Sequence, residues 1–293
     1  MTKPIGIIAG GGRLPVLMAQ GVRAAGRPVA GLGMAGQYDE AFPDLCDSFT
    51  KVGVLRLGEW SRKLRRAGAE QAVMVGLVDK AKLMYMPWYA KAAVMRPDRE
   101  VIWLWYRVLR HDRRSQTLLA AVADALQRRR IELIDTTRYI PDHLAEAGVM
   151  TQRGLSAAQK ADVAFGWPIL MQMNDLEIGQ SIAVRGRDVV AVEAVEGTDA
   201  MIKRSGELAR GQGWTLLKGA GATKDLRFDV PTVGIKTIEG LQAAGAVCLA
   251  VDAGRVIFVD KPAVLAAADR AGIAVVGVDD AFLAGVASGS GVA

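Results

Sequence analysis

Short apolar runs, each closed by glycine or charge and then followed by a helical pattern, recur along this 293-residue chain. Ile5–Ala9 runs into Gly10-Gly11-Gly12 and then into an amphipathic stretch, Arg13–Ala25, that stops at Gly26. Pro28–Leu32, Gln71–Val75 and Ile131–Ile134 read as further strands, with helices predicted over Glu59–Ala67, near Glu100–Leu109 and over Ser115–Arg129. Strands that alternate with helices in this way argue for a parallel sheet covered on both faces. Residues 1–135 are therefore expected to form a Rossmann-like, nucleotide-binding α/β domain.

Residues 136–155, with Pro141, Gly148 and Gly154, break the rhythm and are the expected linker. Beyond them the pattern changes. A helix over Ala157–Met173 precedes two adjacent strands, Ser181–Val184 and Val189–Ala194, turned by Arg185-Gly186-Arg187-Asp188, which is a hairpin signal. Helices at 199–209, 236–244 and 262–271 and strands at Thr215–Lys218, Ala246–Val251, Val256–Val259 and Ile273–Val276 complete a mixed α/β domain over 156–293.

No apolar run reaches the roughly 18–20 residues of a membrane span, and residues 1–30 read as strand, loop and helix rather than as a signal peptide. Cys46 and Cys248 are isolated, which fits unpaired thiols in a reducing cytoplasm. Two histidines, His111 and His143, with no Cys-x-x-Cys pair, give no zinc pattern. The net charge of +6 is unevenly divided: residues 1–140 hold 23 Lys+Arg against 13 Asp+Glu. A basic half suggests an anionic partner, a nucleotide or a phospholipid surface. Nucleic acid is not expected, because the Arg clusters at 62–66, 110–114 and 128–130 lack interleaved aromatic platforms and equally suit solvated helix faces.

Gly10, Gly11 and Gly12 end a strand and open a helix, where missing side chains let backbone N–H groups approach phosphate oxygens. A tight strand–helix turn needing positive φ is the competing explanation, but three consecutive glycines exceed what such a turn requires. The Rossmann dinucleotide fingerprint is incomplete, since Pro15 stands at the third glycine and no carboxylate follows the second strand at Leu32-Gly33-Met34. No Gly-Lys-Ser/Thr follows either, so this is not a Walker loop.

The chemistry-bearing residues concentrate in the second half. Glu193, Glu196, Thr198 and Asp199 lie at one strand end, and Lys218, Lys224, Asp225, Arg227 and Asp229 follow another. Carboxylates that hold a hard cation, beside cations that grip phosphate oxygens, are what phosphoric anhydride chemistry requires. Asp225 is the expected metal ligand or water-orienting group, with Asp199 or Glu196 as second carboxylate. Lys218, Lys224 and Arg227 are candidate phosphate contacts, and Thr198 is a candidate donor to a phosphoryl oxygen. Surface ion pairs, and for Asp199 a first-turn helix carboxylate, are the competing explanations.

Gly6-Ile-Ile-Ala-Gly-Gly-Gly12 with Leu14-Pro15, Ile178-Gly-Gln-Ser181, Ala191-Val-Glu-Ala-Val-Glu-Gly-Thr-Asp199 and Asp225-Leu-Arg-Phe-Asp-Val-Pro-Thr-Val-Gly234 resemble the LpxI-type UDP-2,3-diacylglucosamine pyrophosphatases, in the same order over essentially the whole chain. The resemblance implies a two-domain cytosolic enzyme of lipid A biosynthesis, homodimeric and Mg²⁺-dependent. Such an enzyme hydrolyses UDP-2,3-diacylglucosamine to UMP and 2,3-diacylglucosamine 1-phosphate, with water attacking the α-phosphorus. The family's functional aspartate falls on Asp225. Gly221-Ala-Thr-Lys224 departs from the family's usual Lys-Pro-Asn-Gln. A nucleotide-dependent oxidoreductase and a nucleotide-sensing module are the alternatives.

Met84–Met95, followed by Trp103, Trp105 and Tyr106, gathers large apolar groups suited to an acyl-chain groove or to ordinary core. Contact with the inner membrane is expected to be at most peripheral, through the basic face.

Overall fold

The computed structural model describes residues 2–77, 96–111, 115–221, 224–227 and 230–288. The chain divides into two compact units: Met1–Ile140 with Leu226–Asp229, and Pro141–Asp225 with Val230–Ala293.

In the first unit, β1 (Ile5–Ala9), β2 (Val29–Met34), β3 (Ser48–Val52), β4 (Gln71–Val75) and β5 (Glu132–Leu133) form one sheet in the order β3-β2-β1-β4-β5, every neighbour parallel. This is the doubly wound order, which reverses direction between β1 and β4. β1 and β2 are buried along their whole length, as strands under helices on both faces must be. Helix α1 (Leu14–Ala24) lies between β1 and β2, α2 (Leu57–Arg66) between β3 and β4, and α4 (Ser115–Arg128) before β5. Helix α3 (Arg99–Leu104) continues through a π turn at Trp105–Leu109. In α2, Leu57, Trp60 and Leu64 turn inward at helical spacing while Arg65 and Arg66 stay out. The expected strands are present, and β3 is an addition. Ser48-Phe-Thr-Lys-Val is a half-exposed edge strand whose polar residues hide it from a search for apolar runs.

The second unit is built on a six-stranded sheet in the order β6-β13-β11-β9-β7-β8. Its members are β6 (Gly148–Val149), β7 (Ser181–Val184), β8 (Val189–Val192), β9 (Thr215–Lys218), β11 (Cys248–Asp252) and β13 (Ala274–Val278). β9, β11 and β13 run parallel; β7, β8 and β6 pair antiparallel. β10 (Thr232–Val233) and β12 (Ile257–Phe258) form a separate parallel pair. The β7–β8 hairpin closes through Arg185 and Asp188, with Gly186 and Arg187 at positive φ as such a turn demands. Mixed α/β organisation is thus what the chain adopts.

Two apolar layers cover this sheet. Leu216 and Leu249 pack with Met201 and Ile202 of α6 (Thr198–Leu208), Ile238 and Leu241 of α7 (Ile235–Ala243) and Val264 of α8 (Lys261–Ala271). On the other face Leu217 and Ala250 meet Val163, Trp167 and Leu170 of α5 (Ala157–Asp175), with Phe282 of α9 (Asp280–Ala287) alongside. Ser156 and Gln159 cap α5 reciprocally, at 3.3 and 2.7 Å. The stretch expected as linker is not featureless: Gly148–Val149 pairs with β13, and Lys261 donates 2.8 Å to the Leu144 carbonyl.

Candidate active site

Strand β9 is short, central and buried from Thr215 to Lys218, so its last side chain is a lysine only 3% exposed. The register puts Lys218 beside Ser181 of β7 on one flank and Val251 of β11 on the other. Beyond β8, the Glu193 N–H donates 2.9 Å to the Ser181 carbonyl, which brings Glu193 to the same sheet edge. Gly179 allows this approach: a Cβ there would sit 2.0 Å from the Glu193 carbonyl oxygen. Next, Gly197 turns at φ +84° and Thr198 becomes the first residue of α6.

The three side chains interlock. Lys218 Nζ donates to Thr198 Oγ1 at 2.9 Å, and Thr198 Oγ1 donates to Glu193 Oε1 at 2.9 Å. A buried ammonium and a 5% exposed carboxylate are thus joined through one hydroxyl at a helix N-terminus. Glu193 Oε2 and Ser181 Oγ are buried with no hydrogen-bond partner. Buried polar atoms without partners are uncommon in native proteins, and they concentrate where a ligand, water or strain accounts for them.

The loop after β9 is pinned to the same edge. The Gly219 N–H donates 3.0 Å to the Gln180 carbonyl, and Lys224 Nζ donates 3.1 Å to Gln180 Oε1. Asp252, the last residue of β11, accepts from the Ala220 N–H at 3.3 Å. Burial lifts the Asp252 carboxyl above its ordinary value, and the Ala220 N–H, Arg255 and the Gly221 N–H oppose the rise. Arg255 lies 3.7 Å from Asp252 Oδ2 and donates 3.2 Å to the Lys224 carbonyl. Asp252 and Arg255 therefore brace the segment that delivers the half-buried Asp225.

Other predicted residues make contacts of their own. Glu196 pairs with Arg204 at 2.7 Å and accepts 3.1 Å from the Ala194 N–H. Asp199 is exposed in the first turn of α6, lining a surface hollow of 360 Å³ with Ile202, Gly206 and Ala243, where the helix dipole favours it. Arg227 is exposed and falls with the first unit, where Thr136 N and Oγ1 donate to the Leu226 carbonyl at 3.2 and 2.9 Å. Asp229 and Met84–Met95 lie outside the described residues.

The glycine loop departs from the simple phosphate cradle. The Gly10 N–H donates to Val75 O at 2.8 Å, and Gly11 exchanges 2.7 and 2.9 Å bonds with Leu77. A Cβ at Gly10 would lie 2.6 Å from the Leu77 carbonyl oxygen, so these glycines admit main chain. Gly12, at φ +89°, has open space around it and is the one of the three that faces no packed neighbour within 4 Å.

Models of the LpxI N-terminal domain and the LpxI C-terminal domain match residues 4–143 and 146–276. This chain belongs to the LpxI family. The UDP-2,3-diacylglucosamine pyrophosphatase LpxI of Caulobacter vibrioides is 29% identical over 284 residues, covering 94% of this chain and 98% of that protein. The motif resemblance read from the sequence is borne out over both halves.

In this LpxI-family chain, sequence reasoning passed over Asp252, Arg255 and Gln180. An acid closing an apolar run, Cys248–Asp252, is the signal that marks Asp252; that it follows Val251, the register partner of Lys218, appears only in the sheet. Among the described residues no three His, Cys, Asp or Glu side chains gather at metal-binding range. Of the predicted metal ligands, Glu196 pairs with Arg204, Asp199 is exposed in the first turn of α6 and Asp225 is half-buried. Mg²⁺ would need only one or two such carboxylates, its shell being completed by waters and substrate phosphate. Burial pushes the thiols of the half-buried Cys46 and the buried Cys248 up to about 12.

Proposed function

We propose that this chain hydrolyses the pyrophosphate bond of UDP-2,3-diacylglucosamine, releasing UMP and 2,3-diacylglucosamine 1-phosphate in lipid A biosynthesis. Family membership along both halves supports the substrate. The observation that carries the chemistry is the buried Lys218–Thr198–Glu193 chain at the N-terminus of α6. An ammonium and a helix N-terminus converging at a strand edge are built to receive phosphate oxygens.

Hydrolysis of a diphosphate is obstructed by negative charge that repels the incoming water. Lys218 offsets that charge at a fixed position, and Glu193 fixes Thr198 so that its hydroxyl lone pairs face the ammonium. Lys224 and Arg227 are the further proposed phosphate contacts, and Asp229 and Gly12 are proposed substrate-binding residues. Asp225 would hold Mg²⁺ or orient the water that attacks the α-phosphorus, with Asp199 or Glu196 as second carboxylate. Bound Mg²⁺ supplies charge neutralisation on the anhydride oxygens. The family resemblance also brings a cytoplasmic homodimer, and the basic face allows at most peripheral membrane contact. A hydride-transfer reading gains no support from the glycine loop, whose Gly10 and Gly11 N–H groups are taken by main chain.

The test is turnover of UDP-2,3-diacylglucosamine with and without Mg²⁺ in ¹⁸O water. The expected product is labelled UMP. Asp225→Ala is expected to lower turnover on the order of a thousandfold or more while UMP binding stays measurable. Label in the sugar phosphate overturns α-attack, and normal turnover by Asp225→Ala removes Asp225 from the mechanism.

A further inference from the structure

Helix α3 and the π turn after it present an unusual outward face. Val101, Leu104 and Val108 point into the first unit's core, as helical spacing requires. The residues between them are not the polar set such a helix normally shows to water. Trp103 and Trp105 are each 46% exposed and Tyr106 is 64% exposed, with Ile102 exposed beside them. Single exposed hydrophobics are ordinary, but four within five residues on one short element form a patch.

The element is held firmly. Asp98 caps α3 by accepting 3.1 Å from the Val101 N–H, and its other oxygen accepts 2.6 Å from the Gly58 N–H at the start of α2. Glu100 pairs with Arg129 at the end of α4. Two cationic side chains flank Trp103: the Arg128 guanidinium lies 4.8 Å and that of Arg107 5.9 Å from its ring centroid. Arg99 and Arg110 are exposed at either end of the same segment.

We propose that this face docks the protein onto an anionic phospholipid surface, with Trp103, Trp105 and Tyr106 at headgroup depth and Arg107 and Arg128 on lipid phosphates. Indole and phenol rings favour the boundary between water and acyl chains, and cations near an anionic leaflet add attraction. No helix among the described residues is long and apolar enough to cross a membrane, so the attachment is peripheral. The inference rests on the proposed activity for its purpose: a diacylated substrate resides in a bilayer, and the enzyme must meet it there.

The experiment is sedimentation of the full chain with vesicles of phosphatidylcholine alone, or with an equal part of phosphatidylglycerol, at low and high salt. Binding is expected only to the anionic vesicles and to weaken with salt. Arg107→Gln with Arg128→Gln is expected to lower partition on the order of 20-fold, about fivefold per cation. Trp103→Ser with Tyr106→Ser is expected to lower it about tenfold or more. No binding of the parent protein to anionic vesicles overturns the proposal. Unchanged partition in both variants also overturns it; an accompanying loss of melting temperature assigns the face to contacts within the chain, and a changed oligomer size assigns it to a second copy. Vesicle binding without hydrolysis sinks the assigned activity and leaves the docking face standing, so the two failures are separable.

Discussion

Each unit ends its parallel strands at an edge that the sequence marks as chemical, and the two edges are finished in opposite ways. In the first unit the end of β1 is closed by main chain, with Gly10 and Gly11 bonded to Val75 and Leu77 and no room for a side chain. In the second unit the end of β9 is closed by side chains, a buried lysine and a buried glutamate linked through a threonine hydroxyl. Backbone closure satisfies itself and stabilises. Burying an ammonium and a carboxylate costs several kcal/mol per ion before their attraction is counted. The difference teaches where to look for chemistry: an edge that keeps costly, incompletely satisfied charge, including the partnerless Glu193 Oε2, is the one suited to a charged ligand.

The contrast can be broken at its strongest point. Lys218→Met leaves Glu193 buried with only a hydroxyl for company, and is expected to cost about 3–5 kcal/mol in chemical denaturation as well as turnover. Adding Glu193→Gln is expected to recover part of that loss, because the stranded charge is gone. A single variant as stable as the parent would mean that the second edge holds no buried charge network.

A smaller effect sharpens the other side. Gly10→Ala drives a methyl against the Leu77 and Gly76 backbone and is expected to cost about 1–3 kcal/mol. Gly12→Ala meets open space and bears only the strain of φ +89°, about 1 kcal/mol. Thermal melts of the two variants compare packing with backbone strain directly; equal losses would show that the loop closes by φ alone.

The smallest effect concerns Asp252, whose side chain is 14% exposed. Its folded pKa stands above the ordinary 3.8, raised by burial. Its stabilising contribution is therefore complete below about pH 3.8 and is lost as pH rises through the raised folded value. Asp252→Asn lacks that slope, so the parent is expected to lose stability relative to the variant as pH climbs from about 4 towards neutral. Parallel stability–pH curves would show that burial does not govern this group.

Much of this was legible in residue order because local periodicity is a local property. The Thr215–Lys218 strand, the hairpin at 185–188 and the doubly covered first sheet all follow from alternation and punctuation over a few residues. β3 was not, since an edge strand with one wet face carries little apolar signal. Within the site, the sequence marked Thr198 and Lys218 as chemical but gave no reason to join them across 20 residues, nor to pair Glu196 with Arg204.

What residue order determined by itself was element type, family and the inventory of charges, because these depend on neighbours along the chain. Which charges meet was decided only by tertiary structure. Strand register carries Ser181, Lys218 and Asp252 to one edge from three distant segments, and burial there sets how strongly each charge acts. Electrostatic consequence depends on distance and solvent access, and neither is a property of position in a sequence.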